Sequence, residues 1–153
     1  MRKLLCAVLV VVLPASAVRA QDSSCTYVRC ALAIAPVWNG LNVVRGTQAH
    51  RVGGLGFFWT GDITPSVAGN DSAVAYATRA VHVRRVAAVL TDVGVLALGY
   101  ATARRLQHGS FGSADRGVAL GGSVAFAASV PLQFAADGLL SRALWWFNGE
   151  FSR

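Results

Sequence analysis

Two long apolar stretches constrain this chain more than any other feature. Residues 86–103 contain a single charge, Asp92, and in residues 118–136 the only strongly polar side chain is Gln133. An eighteen-residue helix is about 27 Å long, close to the thickness of the hydrocarbon core of a bilayer. With so little charge on any face, such helices prefer lipid to water. The sequence therefore predicts a mainly α protein: a membrane-embedded two-helix hairpin over residues 72–136, with spans at about 86–103 and 118–136. Composition agrees, with 54% hydrophobic and 14% charged residues, against about 25% charged in an average soluble domain. At 153 residues there is room for one compact unit, and a soluble domain of that size needs charge to cover its surface. Both stretches are Ala-rich and near the lower length limit for a span. A soluble exported helical protein that binds apolar ligands is therefore kept as an alternative.

The N-terminus has the layout of a secretory signal over residues 1–20. Met1-Arg2-Lys3 is basic, Leu4 to Leu13 is apolar, Pro14 interrupts the run, and Val18-Arg19-Ala20 suits cleavage before Gln21. Residue 21 then emerges outside the cytoplasm. The expected location is the bacterial cytoplasmic membrane with the N-terminal segment outside. Arg104, Arg105 and Arg116 would lie inside, as the positive-inside rule prefers, but Arg79, Arg84 and Arg85 nearly cancel that bias. The signal sets the orientation.

Residues 21–71 form a small extracytoplasmic segment. Cys25 and Cys30 are expected to pair in an oxidising compartment, which bends residues 26–29 into a turn and stabilises by roughly 2 kcal/mol. Ala31 to Arg45 resembles a β-hairpin around Asn39-Gly40. Gly46 and the cluster Gly53, Gly54 and Gly56 are expected to end regular structure, leaving Phe57, Phe58 and Trp59 as an aromatic plug at the membrane surface. This segment is too poor in apolar residues for a core of its own and should lean on the helices or a partner. The next helix should be capped by Asp71 or Ser72.

In the second stretch Gly117, Gly121, Ala125, Ser129 and Gln133 recur every four residues, a small-residue face on which another helix can pack. A carboxylate at mid-membrane costs about 2.5–3.5 kcal/mol and should face protein. Folding the hairpin about a loop at residues 104–117 sets Asp92 opposite Ser129, so a hydrogen bond to Ser129 or Gln133 is expected. That bond would join the helices, or mark a proton or cation site in an oligomer. Beyond Asp137-Gly138, residues 137–153 resemble an interfacial amphipathic tail. Leu140, Leu144, Phe147 and Phe151 share one face, and Trp145, Trp146 and Phe147 serve as interfacial anchors.

The segment Leu139 to Asn148, with the Cys25 and Cys30 start and a two-helix centre, resembles small exported membrane proteins of environmental bacteria that carry no established activity. The resemblance implies architecture alone.

No enzyme chemistry is expected. His50, His82 and His108 lack metal-ligand spacing, and the acids beyond residue 71 do not pair. The glycines miss the dinucleotide-binding spacing, and a lysine suited to a phosphate loop is missing. Cofactors and metals are not called for. The net charge of +7 is gathered at the ends of apolar segments, not on a basic face, which argues against nucleic acid. The expected partners are the lipid bilayer and a second copy or another membrane protein. A structural or accessory envelope protein is the first expectation; a subunit of an oligomeric channel, transporter or pore is the alternative.

Overall fold

The computed structural model describes residues 26–152, without the side chain of Ser152. The expected signal segment, residues 1–20, and Cys25 lie outside the described residues. One helical turn, α1 (Tyr27–Cys30), leads into an antiparallel sheet of β1 (Leu32–Val37), β2 (Gly40–Arg45) and β3 (His50–Gly56), in the order β1-β2-β3. A 3-10 turn at Thr64–Val67 precedes two long helices, α2 (Asp71–His108) and α3 (Ser113–Asn148), and a closing 3-10 turn spans Gly149–Ser152. The molecule is a small sheet set against one end of a helical hairpin.

The β1–β2 hairpin lies where the sequence placed it, with Val37 opposite Gly40. Trp38 and Asn39 are therefore the loop, and Gly40, at φ 143°, is already in the strand. Pro36 is tolerated because β1 is an edge strand. The third strand is a correction: β3 runs straight through Gly53, Gly54 and Gly56. These glycines make room for chain packed directly on the strand. The Trp59 ring lies so close to Gly54 and Gly56 that a Cβ there would meet it at 3.1 and 2.6 Å. Residues 57–61 fold back over β3, with Gly56 N–H donating to the Trp59 carbonyl (2.8 Å) and Gly61 N–H to the Gly54 carbonyl (2.9 Å). Arg51 covers Trp59, 5.2 Å from the ring centroid.

The cap of α2 is Asn70, one residue before the expected pair: its Oδ1 accepts from Ala73 N–H at 2.9 Å. The expected loop over residues 104–117 shrinks to four residues. Gly109, left-handed at φ 72°, stops α2, and α3 begins at Ser113 with Asp115 accepting from Gly112 N–H at 3.2 Å. Arg104 lies 3.7 Å from Asp115 across this tip. At the other end the tail is not a separate element. α3 continues through Gly138 to Asn148, because Gly138 has open space around it and Leu140, Ala143, Leu144 and Phe147 are held by the core.

That core is single and lies where the sheet meets the hairpin. Leu32, Val43, Leu55, Ile63 and Val67 pack with Ala73, Ala77, Ala80 and Val81 of α2 and the buried residues of α3's last third. The sheet has no separate interior and leans on the helices, as the shortage of apolar residues in it required. Asn148 ties the two together: its Oδ1 accepts from Leu32 N–H (2.9 Å) and its Nδ2 donates to the Leu32 carbonyl (2.8 Å).

Candidate functional site

The helix seam follows a seven-residue repeat. On α2 the residues facing α3 include Ala73, Ala80, Ala87, Gly94 and Ala101, with Ala77, Arg84 and Thr91 on the alternate position. On α3 they are Asp115, Gly122, Ser129, Ala136 and Ala143, with Gln133, Leu140 and Phe147 alternating. This is the spacing of a left-handed pair, in which small side chains let backbones approach. The closest approach is at Gly94 and Gly122: a Cβ on Gly94 would come within 2.9 Å of the Gly122 carbonyl, and one on Gly122 within 2.8 Å of Ala97 Cβ.

The structure divides the predicted face between two environments. Ser129 and Gln133 are buried and Ala125 is half-buried, but Gly117 and Gly121 are exposed with open space around them. A period of four drifts off a seam whose true period is 3.5 residues. Asp92 is half-buried and takes no hydrogen bond or ion pair among the described residues. Its predicted partners bond elsewhere: Gln133 Nε2 donates to Thr91 Oγ1 (3.2 Å) and Ser129 Oγ to the Phe126 carbonyl (2.7 Å). Thr91, one residue before Asp92, is in phase with the seam and Asp92 is not.

The proposed anchors also divide. Trp145 and Trp146 are exposed, packed edge to face at 5.1 Å, whereas Phe147 is a core residue stacked edge-on to Phe151 at 5.4 Å. The apolar face of the expected tail meets the sheet instead of an interface. Cys30 closes α1, which makes the turn expected around it, and its expected partner Cys25 lies outside the described residues.

Arg84, in the sequence a charge flanking an apolar run, is the largest fully buried side chain among the described residues. Only 1% of it is exposed. Its Nε and Nη2 donate to the Gly56 and Leu55 carbonyls of β3 (3.1 and 3.0 Å), and its Nη1 donates to the Gln133 carbonyl of α3 (3.2 Å). Nη1 also lies 3.1 Å from Asp137 Oδ1, a charge contact without the alignment of a hydrogen bond, and the guanidinium sits 5.6 Å from the Phe57 centroid. One side chain thereby joins sheet, α2 and α3. A buried cation costs several kcal/mol unless its donors are matched, and a planar guanidinium can serve three carbonyls and a carboxylate at once. The sequence carries its phase on the helix, but β3 and α3 set which phase faces inward. Arg84 is in phase with Ala77 and Thr91, whereas Arg85 is out of phase and exposed.

Beside Arg84 a crevice of about 370 Å³ opens between sheet and hairpin. Gly40, Leu41, Phe57 and Phe58 form one wall; Phe126, Val130 and Phe134 of α3 form the other; Arg84, Thr91, Gln133 and Asp137 lie along its floor. Among the described residues no three His, Cys, Asp or Glu side chains gather as a metal site would require.

Beyond the crevice the hairpin stands bare. Two helices are long and apolar enough to cross a membrane, and only 28% and 17% of their most apolar windows is buried. Val89, Leu96, Leu120, Val124 and Phe134 are each more than half exposed there. The bare section is bounded by Arg84, Arg85 and Asp137 at the sheet end and by Arg104, Arg105 and Arg116 at the tip. The fold defines a class, a helical hairpin with a three-stranded antiparallel sheet on one end. No family model, curated protein or solved structure matches the chain.

Proposed function

We propose that the protein is a small structural or accessory membrane protein of the bacterial cell envelope, its hairpin anchoring a compact sheet head outside the cytoplasmic membrane. The observation that carries this reading is the bare hairpin section, apolar apart from Asp92 and bounded by charge at both ends. Its eighteen residues on α2 rise about 27 Å, the depth of a bilayer's hydrocarbon core. In water so much exposed apolar surface would drive association. The signal-like N-terminus supports placing the head outside, and the Arg-rich tip then falls on the cytoplasmic side. On the head Tyr27, Val28, Trp38 and Phe58 are each more than half exposed, apolar surface open to contact with another protein. Alkaline carbonate extraction tests the anchor, and protease added to spheroplasts tests the side. The protein should stay with the membrane pellet and lose its head to external protease; release into the supernatant would overturn the reading.

A second reading, a subunit of an oligomeric channel or transporter, is favoured by two observations. Asp92 has no partner within the hairpin, and Gly117 and Gly121 are open to a neighbouring helix. Ion flux through liposomes carrying the purified protein, abolished by Asp92→Asn, would establish it; absence of flux would sink it.

A further inference from the structure

We infer that the crevice beside Arg84 holds one hydrocarbon chain of a membrane lipid whose headgroup presents a hydrogen-bond donor, such as an ammonium, to Asp137. The inference rests on the membrane reading above and adds a ligand to it.

Shape is the first support. At about 370 Å³ the crevice is in the size range of small-molecule sites, roughly 300–1,000 Å³. Its α3 wall runs from Phe126 to Asp137, twelve residues and so about 16 Å of helix between their ends. An elongated trough with Leu41, Phe57 and Phe58 on one side and Phe126, Val130 and Phe134 on the other suits a flexible chain better than a compact ring.

Charge is the second. The polar floor is largely spent within the protein: Arg84 on three carbonyls, Thr91 on the Ala87 carbonyl and Gln133, Ser129 on the Phe126 carbonyl. Among the described residues that line the crevice the cation is Arg84, only 1% exposed, so a phosphate or carboxylate finds no exposed cationic donor there. Asp137, which lines the crevice and has its side chain 32% exposed, receives no aligned hydrogen bond from the described residues. A donor-bearing headgroup therefore finds an acceptor there, whereas a purely anionic one finds no exposed partner.

Position is the third. Asp137 marks the end of the charge-free part of α3, and the trough extends from it into that part. A chain entering from the lipid side crosses no charged rim, and its headgroup stays level with Asp137.

The test is native mass spectrometry of the mature protein in detergent, incubated with phosphatidylethanolamine or phosphatidylcholine of identical chains. The unmodified protein should retain one phosphatidylethanolamine, several-fold more than phosphatidylcholine, which has no donor. Val130→Trp, which fills the trough from an exposed position, should reduce retention to background. Leu120→Trp, on the bare helix outside the trough, should leave it unchanged; far-UV circular dichroism checks that both variants fold. Equal retention of the two lipids, retention undiminished in Val130→Trp, or a dimer that Val130→Trp dissolves would overturn the inference. A protein that stays in the alkaline pellet yet retains no lipid overturns the inference alone. One that retains phosphatidylethanolamine selectively but is released by carbonate overturns the membrane reading alone.

Discussion

Arg84 Nη1 lies 3.1 Å from Asp137 Oδ1, at the level where the sheet ends and the bare hairpin begins. The guanidinium is fully buried and the carboxylate partly open, so the two partners contribute unequally. Arg84 also satisfies the Leu55, Gly56 and Gln133 carbonyls, which water cannot reach once the core is closed.

Replacing Arg84 should therefore loosen the head from the hairpin. Arg84→Ala is expected to cost about 3–5 kcal/mol, as when a buried ion pair loses one partner. Arg84→Lys should recover only part of this, since an ammonium cannot reach three carbonyls in one plane. Asp137→Asn should cost less, about 1 kcal/mol, because solvent already screens that side chain. Unfolding midpoints in detergent measure the order; Asp137→Asn costing as much as Arg84→Ala would contradict it.

The glycines divide by contact. Gly122→Ala should destabilise by about 1–3 kcal/mol, because its methyl group would press on Ala97 and the Gly94 carbonyl. Gly121→Ala, into open space, should be neutral or stabilise by up to about 1 kcal/mol through helix propensity. Thermal midpoints of the two variants give the comparison directly, and equal losses would mean that Gly121 also meets a partner.

Asn148 and Asn70 hold the chain ends of the core together. Asn148→Ala removes both hydrogen bonds to Leu32 and should cost about 2 kcal/mol at roughly 1 kcal/mol per bond. Asn70→Ala removes the α2 cap and the 2.7 Å bond to Glu150, at about 1–2 kcal/mol. Faster amide exchange in β1 should accompany the first loss and not the second.

The aromatic residues near the C-terminus are expected to respond in opposite ways. Phe147→Ala should destabilise by about 3–5 kcal/mol, since the ring is in the core. Trp145→Ala should leave the unfolding midpoint within about 0.5 kcal/mol. If Trp145 contacts lipid, the same variant should instead lessen the blue shift of tryptophan emission on reconstitution.

How far the sequence reached depends on the range of the interaction concerned. The hairpin of helices, the β1–β2 pair and the two stretches fit to cross a membrane were legible, because local periodicity, turn residues and the distribution of charge along the chain suffice for them. The third strand was not. Gly53, Gly54 and Gly56 look like breakers until Trp59 is found lying against them, and nothing local announces that contact. The seam was legible only in part: Ser129 and Gln133 were found, but a period of four led outward to Gly117 and Gly121 while the packed glycines were Gly94 and Gly122.

What the sequence by itself determined is the class of the β1–β2 hairpin and of the two helices, though not where the helices end, since propensity and hydrophobic run are properties of neighbouring residues. Tertiary structure alone decided which charge goes inside. Arg84 and Arg85 are adjacent and chemically identical, yet one is sealed against three carbonyls and the other meets solvent. The physical reason is rotation: one residue turns about 100° around a helix, and only the partner surfaces, β3 and α3, specify which direction is inward.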